Sequence, residues 1–200
     1  MDKNYELELP EGYEAVQTID AKSTKFTIVM NIAAIVIFVG VFALLCFLFR
    51  FENMWEEIFA SILSYQYWLF LALLILYMIF HELLHGLAYK LLTQQKLSFG
   101  LTWSVAYCGV PHIYTYRRTS LIALLTPFVV FTIVLIIPLF ILQSEISMIY
   151  CSALLALHLS GCVGDLYDSL LFLFKYKDPS TLMNDNGPTQ VIYIRSHIKK

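Results

Sequence analysis

The sequence is short of charge. Asp, Glu, Lys and Arg make up 14% of its 200 residues, against 59% hydrophobic residues, and mean hydropathy is +0.70. A soluble domain carries about 25% charged residues, so an ordinary water-facing globule is excluded. The net charge of −2 provides no basic surface of the kind nucleic acid requires, and nucleic acid is not an expected partner. Cys46, Cys108, Cys151 and Cys162 form no CxxC pair, which argues against a disulfide framework and against a thiolate zinc site. Reduced, buried thiols are expected. The opening stretch, Met1 to Ala15, is acidic and polar. It lacks the basic segment and short apolar run of a cleavable signal peptide, so the first apolar helix is expected to direct insertion. No internal repeat is visible.

What the sequence does have is long apolar runs. Crossing a hydrocarbon core takes about 20 helical residues, and four segments qualify: about 26–49, 66–92, 120–142 and 147–174. The predicted fold class is an all-α membrane protein, with four transmembrane helices and a cytoplasmic-side β-hairpin between helices 2 and 3. The predicted organisation is an N-terminal segment (1–25), a transmembrane domain (26–174) and a C-terminal tail (175–200). Pro127 and Pro138 fall inside the third span, where kinks are expected. Gly86, Gly161 and Gly164 would let a neighbouring helix approach closely.

Lys and Arg placement orients the chain. Lys3, Lys22 and Lys25 precede the first span. Lys90, Lys96, Arg117 and Arg118 lie between the second and third. Lys175, Lys177, Arg195, Lys199 and Lys200 follow the fourth, and Arg50 alone lies on the other side. The expected location is the cell membrane, multi-pass, with both termini cytoplasmic and Trp55, Tyr65, Tyr67 and Trp68 at the outer interface.

Between spans 2 and 3, Phe99, Leu101, Trp103, Val105 and Tyr107 alternate with small or polar residues, the period of a strand. A turn at Cys108–Pro111 and a return strand over His112–Tyr116 would complete a hairpin; the other reading is an interfacial loop anchored by aromatics. Asp178 to Pro188 reads as a flexible loop, with a short strand over 189–196 beyond it.

The second span carries His81-Glu82-Leu83-Leu84-His85, an HExxH motif. Helical residues i and i+4 share a face, so both imidazoles can reach one zinc ion, with Glu82 beside them as a base for water. In a soluble helix such a pentapeptide can arise by chance. Inside an apolar span, three ionisable groups are costly unless paired or metal-bound.

A catalytic zinc needs a third protein ligand, and span 4 offers His158, Asp165 and Asp168. HExxH and Asp165 both lie roughly 13 Å in from the cytoplasmic ends of their helices, so Asp165 is the expected third ligand and Asp168 the runner-up. His158 lies about 10 Å deeper. Asp168 and His158 are candidates for supporting roles around the ligands, and His158 more generally for polar packing. His112 is an outside candidate for metal or substrate contact. His197 is assigned no role.

Three features together, HELLHG late in a span, Gly164-Asp165 in a later one and Leu9-Pro10-Glu11-Gly12-Tyr13 near the start, resemble the putative zincin peptidase family of bacterial membrane proteins. The layout is more distantly similar to the site-2 protease clan of intramembrane zinc metalloproteases. That likeness implies zinc ligation by His81, His85 and Asp165, with Glu82 as general base, and cleavage of membrane-embedded or membrane-proximal protein substrates near the cytoplasmic face. The sequence departs from the clan in having Gly164-Asp165-Leu166 where Leu-Asp-Gly is typical. The alternative expectation is a non-hydrolytic membrane zinc-binding protein, a sensor or an assembly factor. A transporter is disfavoured because no inverted repeat is visible. The oligomeric state is left open.

Overall fold

Hydropathy and length dictate the helices. In the computed structural model, which describes residues 3–101 and 106–196, α1 (Thr24–Phe49), α3 (Tyr65–Thr93) and α4 (Arg117–Leu139) are long unbroken helices. With the helical stretch Glu145–Lys175 they make four segments long and apolar enough to cross a membrane. A short α2 (Met54–Ser61) links α1 and α3. Arg50 (φ 53°) and Gln94 (φ 58°) adopt the left-handed conformation just past α1 and α3, which is a common way to stop a helix. Lys90 Nζ then donates to the carbonyls of Gln94 and Gln95. α4 continues through Pro127 and ends one residue after Pro138. The fourth stretch is not one helix. It is α5 (Glu145–Gly161), a turn at Cys162, α6 (Val163–Leu170) and a π-helical turn over Leu171–Lys175.

The all-α expectation is wrong. Seven strands are present among the described residues: β1 (Tyr5–Glu6), β2 (Tyr13–Asp20), β3 (Ser98–Leu101), β4 (Ala106–Gly109), β5 (Tyr114–Tyr116), β6 (Leu182–Asp185) and β7 (Thr189–Arg195). Five form an antiparallel sheet in the order β1-β5-β6-β7-β2, and β3 and β4 pair separately. The molecule is therefore mixed α and β.

The hairpin also differs from expectation. Cys108 and Gly109 belong to β4 rather than to a turn, and Phe99 pairs with Cys108. Tyr114–Tyr116 joins the larger sheet instead of returning on β3. Trp103 and Val105, two of the alternating apolar positions, lie outside the described residues.

The segment read as a flexible loop is likewise ordered. β6 runs through it, held between β5 and β7, with Leu182 and Met183 fully buried. The strand expected beyond it is present as β7, paired with β2 across a bulge at Ala15/Gln17. The Leu9–Tyr13 motif is a tight turn between β1 and β2. Tyr13 N donates to Pro10 O, and Gly12 (φ 77°) supplies the positive φ that a type II turn needs at its third position.

The chain divides into two units. The first, Met1–Val29, His81–Pro127 and Asp165–Lys200, holds all the strands. One face of its sheet builds a core of Ile19, Leu124, Phe172, Tyr176, Met183 and Ile192, and Ala88, Tyr89, Val110, Ile113 and Ala123 form a second cluster. Arg117 Nε donates to Phe172 O at 3.0 Å, giving a partner to a carbonyl of the π-helical turn. The second unit, Met30–Phe80 and Phe128–Gly164, packs Leu45, Leu135, Leu139, Leu154 and Leu155 together. Asn53 N donates to Glu145 Oε1 there.

Candidate metal centre

α3 carries His81, Glu82 and His85 over a little more than one turn, so the two imidazoles stack along one face with ring centroids 5.0 Å apart. Both histidines are buried, and Glu82 between them is half-buried. α6 starts at Val163, which sets Asp165 in its first turn, where a carboxylate is favoured by the helix dipole. Asp165 spans both rings. Its Oδ2 lies 3.3 Å from His81 Nε2 and its Oδ1 lies 3.4 Å from His85 Nε2, with 22% of the Asp165 side chain exposed.

The other nitrogen of His85 decides how this contact is read. Nδ1 lies 2.9 Å from the carbonyl oxygen of Ala123. A carbonyl only accepts, so Nδ1 carries the hydrogen. In the neutral ring, Nε2 is then a bare lone pair facing a carboxylate oxygen. Two acceptors at that range repel unless a metal cation or a second ring proton lies between them.

The donor set suits zinc. One atom each from His81, His85 and Asp165 lies within 4.8 Å of the others. Zinc–ligand distances of about 2.0–2.2 Å in a tetrahedral shell put ligand atoms roughly 3.3–3.6 Å apart; each imidazole nitrogen has a carboxylate oxygen of Asp165 at about that spacing, Oδ2 for His81 at 3.3 Å and Oδ1 for His85 at 3.4 Å. Three protein ligands leave one position for water or substrate, as in catalytic rather than structural zinc sites.

The remaining sequence candidates are placed as follows. Asp168 sits one turn after Asp165, 4% exposed, and its Oδ1 has no hydrogen-bond partner among the described residues. It is not part of a candidate ligand group. His158 belongs to the second unit and is fully buried. Its Nδ1 meets Tyr77 Oη at 3.1 Å and its Nε2 meets Thr132 Oγ1 at 3.1 Å, a polar packing role in that unit. His112 is exposed, and His197 lies outside the described residues. Cys108 and Cys162 are buried, while Cys46 and Cys151 are half-buried. Of the three glycines, Gly86 is the crowded one, but by the hairpin rather than a helix. A Cβ there would come within 2.8 Å of the Phe99 ring, 3.1 Å of Leu97 and 3.2 Å of Cys108 Sγ. Around Gly164 nothing lies within 4 Å.

One residue escaped the sequence reading. Asp185, in β6, accepts from Tyr89 Oη at 2.7 Å and from Gly187 N at 2.9 Å, and its backbone carbonyl accepts from Val110 N. Tyr89 is one turn past His85 on α3. Burial raises the Asp185 carboxyl to about 6, against the opposing effect of these hydrogen bonds. Burial likewise pushes the Cys108 thiol up to about 12, which disfavours the thiolate. Only a lone Asp within a polar tail marked Asp185 in the sequence.

The family described as "Putative zincin peptidase" matches residues 73–180, a stretch that includes His81, Glu82, His85 and Asp165. The chain belongs to this family. Zincins are zinc metallopeptidases, which agrees with the donor set. No curated protein and no solved structure matches the chain. The family match reaches as far as the zincin peptidases, and the more distant likeness to the site-2 protease clan rests on the motifs alone.

Proposed function

We propose that this zincin is an intramembrane protease that hydrolyses peptide bonds of membrane-embedded or membrane-proximal proteins at the cytoplasmic face. The observation that carries the reading is the convergence of His81, His85 and Asp165 on one point of a helix apolar and long enough to cross a membrane.

The sheet supports the orientation read from charge. It joins a strand before α1, a strand between α3 and α4, and strands after α6. Backbone hydrogen bonds require those three segments to share one side of the bilayer, which four crossings allow. The basic residues are concentrated on the same segments, which supports reading that side as the cytoplasm.

His81, His85 and Asp165 would hold the zinc, which when bound supplies Lewis acidity toward a peptide carbonyl and toward water. Glu82, adjacent to His81 on the helix and within electrostatic reach of both histidines and Asp165, accepts the proton of the attacking water and returns it to the leaving amine. The substrate has to be extended, because a helix hides its carbonyls in its own hydrogen bonds. Among the described residues β3 pairs with β4 on one edge only, so its outer edge can take an added strand. Phe99 and Leu101, 49% and 82% exposed, give that edge apolar side chains suited to a membrane-derived segment.

The test is a comparison of new protein N-termini in membranes of cells carrying the wild-type chain or Glu82→Gln. The reading expects a set of cleavages present with the wild type and missing with the variant, while both proteins retain about one zinc per chain. Identical sets of termini would rule out the protease. A cellular role that survives Glu82→Gln would point instead to a non-hydrolytic zinc-binding protein.

A further inference from the structure

Pro127 lies on α4, four residues after Ala123. In an α-helix the N–H of residue i donates to the carbonyl of residue i−4. Proline has no N–H, so this bond is lost wherever proline sits inside a helix. The carbonyl that Pro127 deprives of its helical donor is that of Ala123, and this is the carbonyl that meets His85 Nδ1 at 2.9 Å. Both Ala123 and His85 are buried, so water is not a ready substitute on either side.

We propose that Pro127 is a positioning residue for the metal centre: by withholding a backbone hydrogen from Ala123 it leaves that carbonyl to His85, fixing the ring with hydrogen on Nδ1 and the Nε2 lone pair toward Asp165. The inference rests on the zinc-site reading, since it concerns how one ligand is oriented. A proline within an apolar helix otherwise appears only as a source of bending. Here it makes α4 a hydrogen-bond acceptor at one chosen residue, through the backbone rather than through a side chain. Pro138, on the same helix, does the same for the carbonyl of Val134, which no histidine approaches among the described contacts. It therefore serves as the control.

The experiment uses the full chain in detergent, as wild type, Pro127→Ala and Pro138→Ala. Three quantities are read: zinc affinity by competition with a chelator, the thermal midpoint, and the tautomer of His85 from ring nitrogen resonances in metal-free protein. Pro127→Ala supplies a competing donor to Ala123. The expected result is a loss of zinc affinity of about 10-fold, the lower end of what outer-shell partners contribute. The thermal midpoint stays level or rises, because a helix gains a bond. The tautomer shifts from Nδ1–H toward a mixture, and Pro138→Ala matches the wild type in affinity and tautomer.

Unchanged affinity and tautomer in Pro127→Ala would overturn the proposal. If Pro127→Ala folds poorly, the wild type decides alone, since a metal-free, neutral His85 bearing its only hydrogen on Nε2 is incompatible with the idea. A wild type that binds no zinc removes the function proposed above, whereas an Nδ1–H tautomer in the same sample would leave the Pro127 effect standing.

Discussion

The hydroxyl of Tyr89 donates to the carboxylate of Asp185 at 2.7 Å, which fastens the helix bearing the HExxH motif to a strand more than ninety residues away in sequence. Tyr89 is 1% exposed, so the bond is shielded from water. Tyr89→Phe keeps the ring and removes only the donor. The expected cost is about 1–3 kcal/mol, the range for leaving a buried acceptor short of a partner. Denaturant unfolding in detergent would measure it.

The same carboxylate makes stability depend on pH. Its folded value of about 6 exceeds the ordinary 3.8 because burial disfavours the charge. A group raised on folding contributes stability that is complete below its unfolded value and is lost as pH rises through its folded value. Metal-free protein should therefore lose stability between about pH 4 and pH 6–7, by roughly 3 kcal/mol from this group. Asp185→Asn should flatten that slope. Thermal midpoints across pH 4–8 in the presence of a chelator check both statements, and a slope unchanged by the substitution would contradict them.

Asp165 and Asp168 can be separated by metal content. Asp165 touches both histidines, and Asp168 is in no candidate ligand group. Asp165→Ala should lose zinc, as should His85→Ala, while Asp168→Asn should keep about one zinc per chain. Elemental analysis of purified protein distinguishes the outcomes, and retention in Asp165→Ala would remove that residue from the ligand set.

Two glycines should respond unequally to alanine. At Gly109 a Cβ would meet backbone, Gly187 N at 2.6 Å and Asp185 O at 2.8 Å, atoms that cannot swing aside. At Gly86 the nearest atoms belong to the side chains of Phe99, Leu97 and Cys108, and Phe99 is partly free to turn. Gly109→Ala should cost about 1–3 kcal/mol as overpacking does, and Gly86→Ala less. Unfolding midpoints of the pair test the order.

The four apolar segments were legible because each is a local property of composition, long enough to stand above any background. HExxH was legible for the opposite reason: polar groups are conspicuous where the surroundings are oil. Asp165 was picked out by matching depths along two apolar segments, and the structure sets its carboxylate 3.3 and 3.4 Å from the two histidines. The larger sheet was not legible. Its strands are short, and their partners are remote, as in Tyr13 with Arg195 and Thr115 with Met183. A polar run such as Asp178–Pro188 looks like a loop until strands on both sides hold it. The break at Cys162 was hidden as well, because an apolar run reads the same whether or not one turn interrupts it.

The order of the sheet bears on how the chain is made. Strand β6 is the inner partner of both β5 and β7, and it emerges after the last apolar helix. Until the ribosome has delivered β6 and β7, Tyr89 has no Asp185 to anchor it, β5 is paired on its β1 side alone and β2 has no neighbour. A nascent chain can therefore already carry His81, Glu82 and His85 on α3 while lacking the frame that steadies them. Completion of the unit that carries His81, His85 and Asp165 is thus deferred until β6 and β7 have been made.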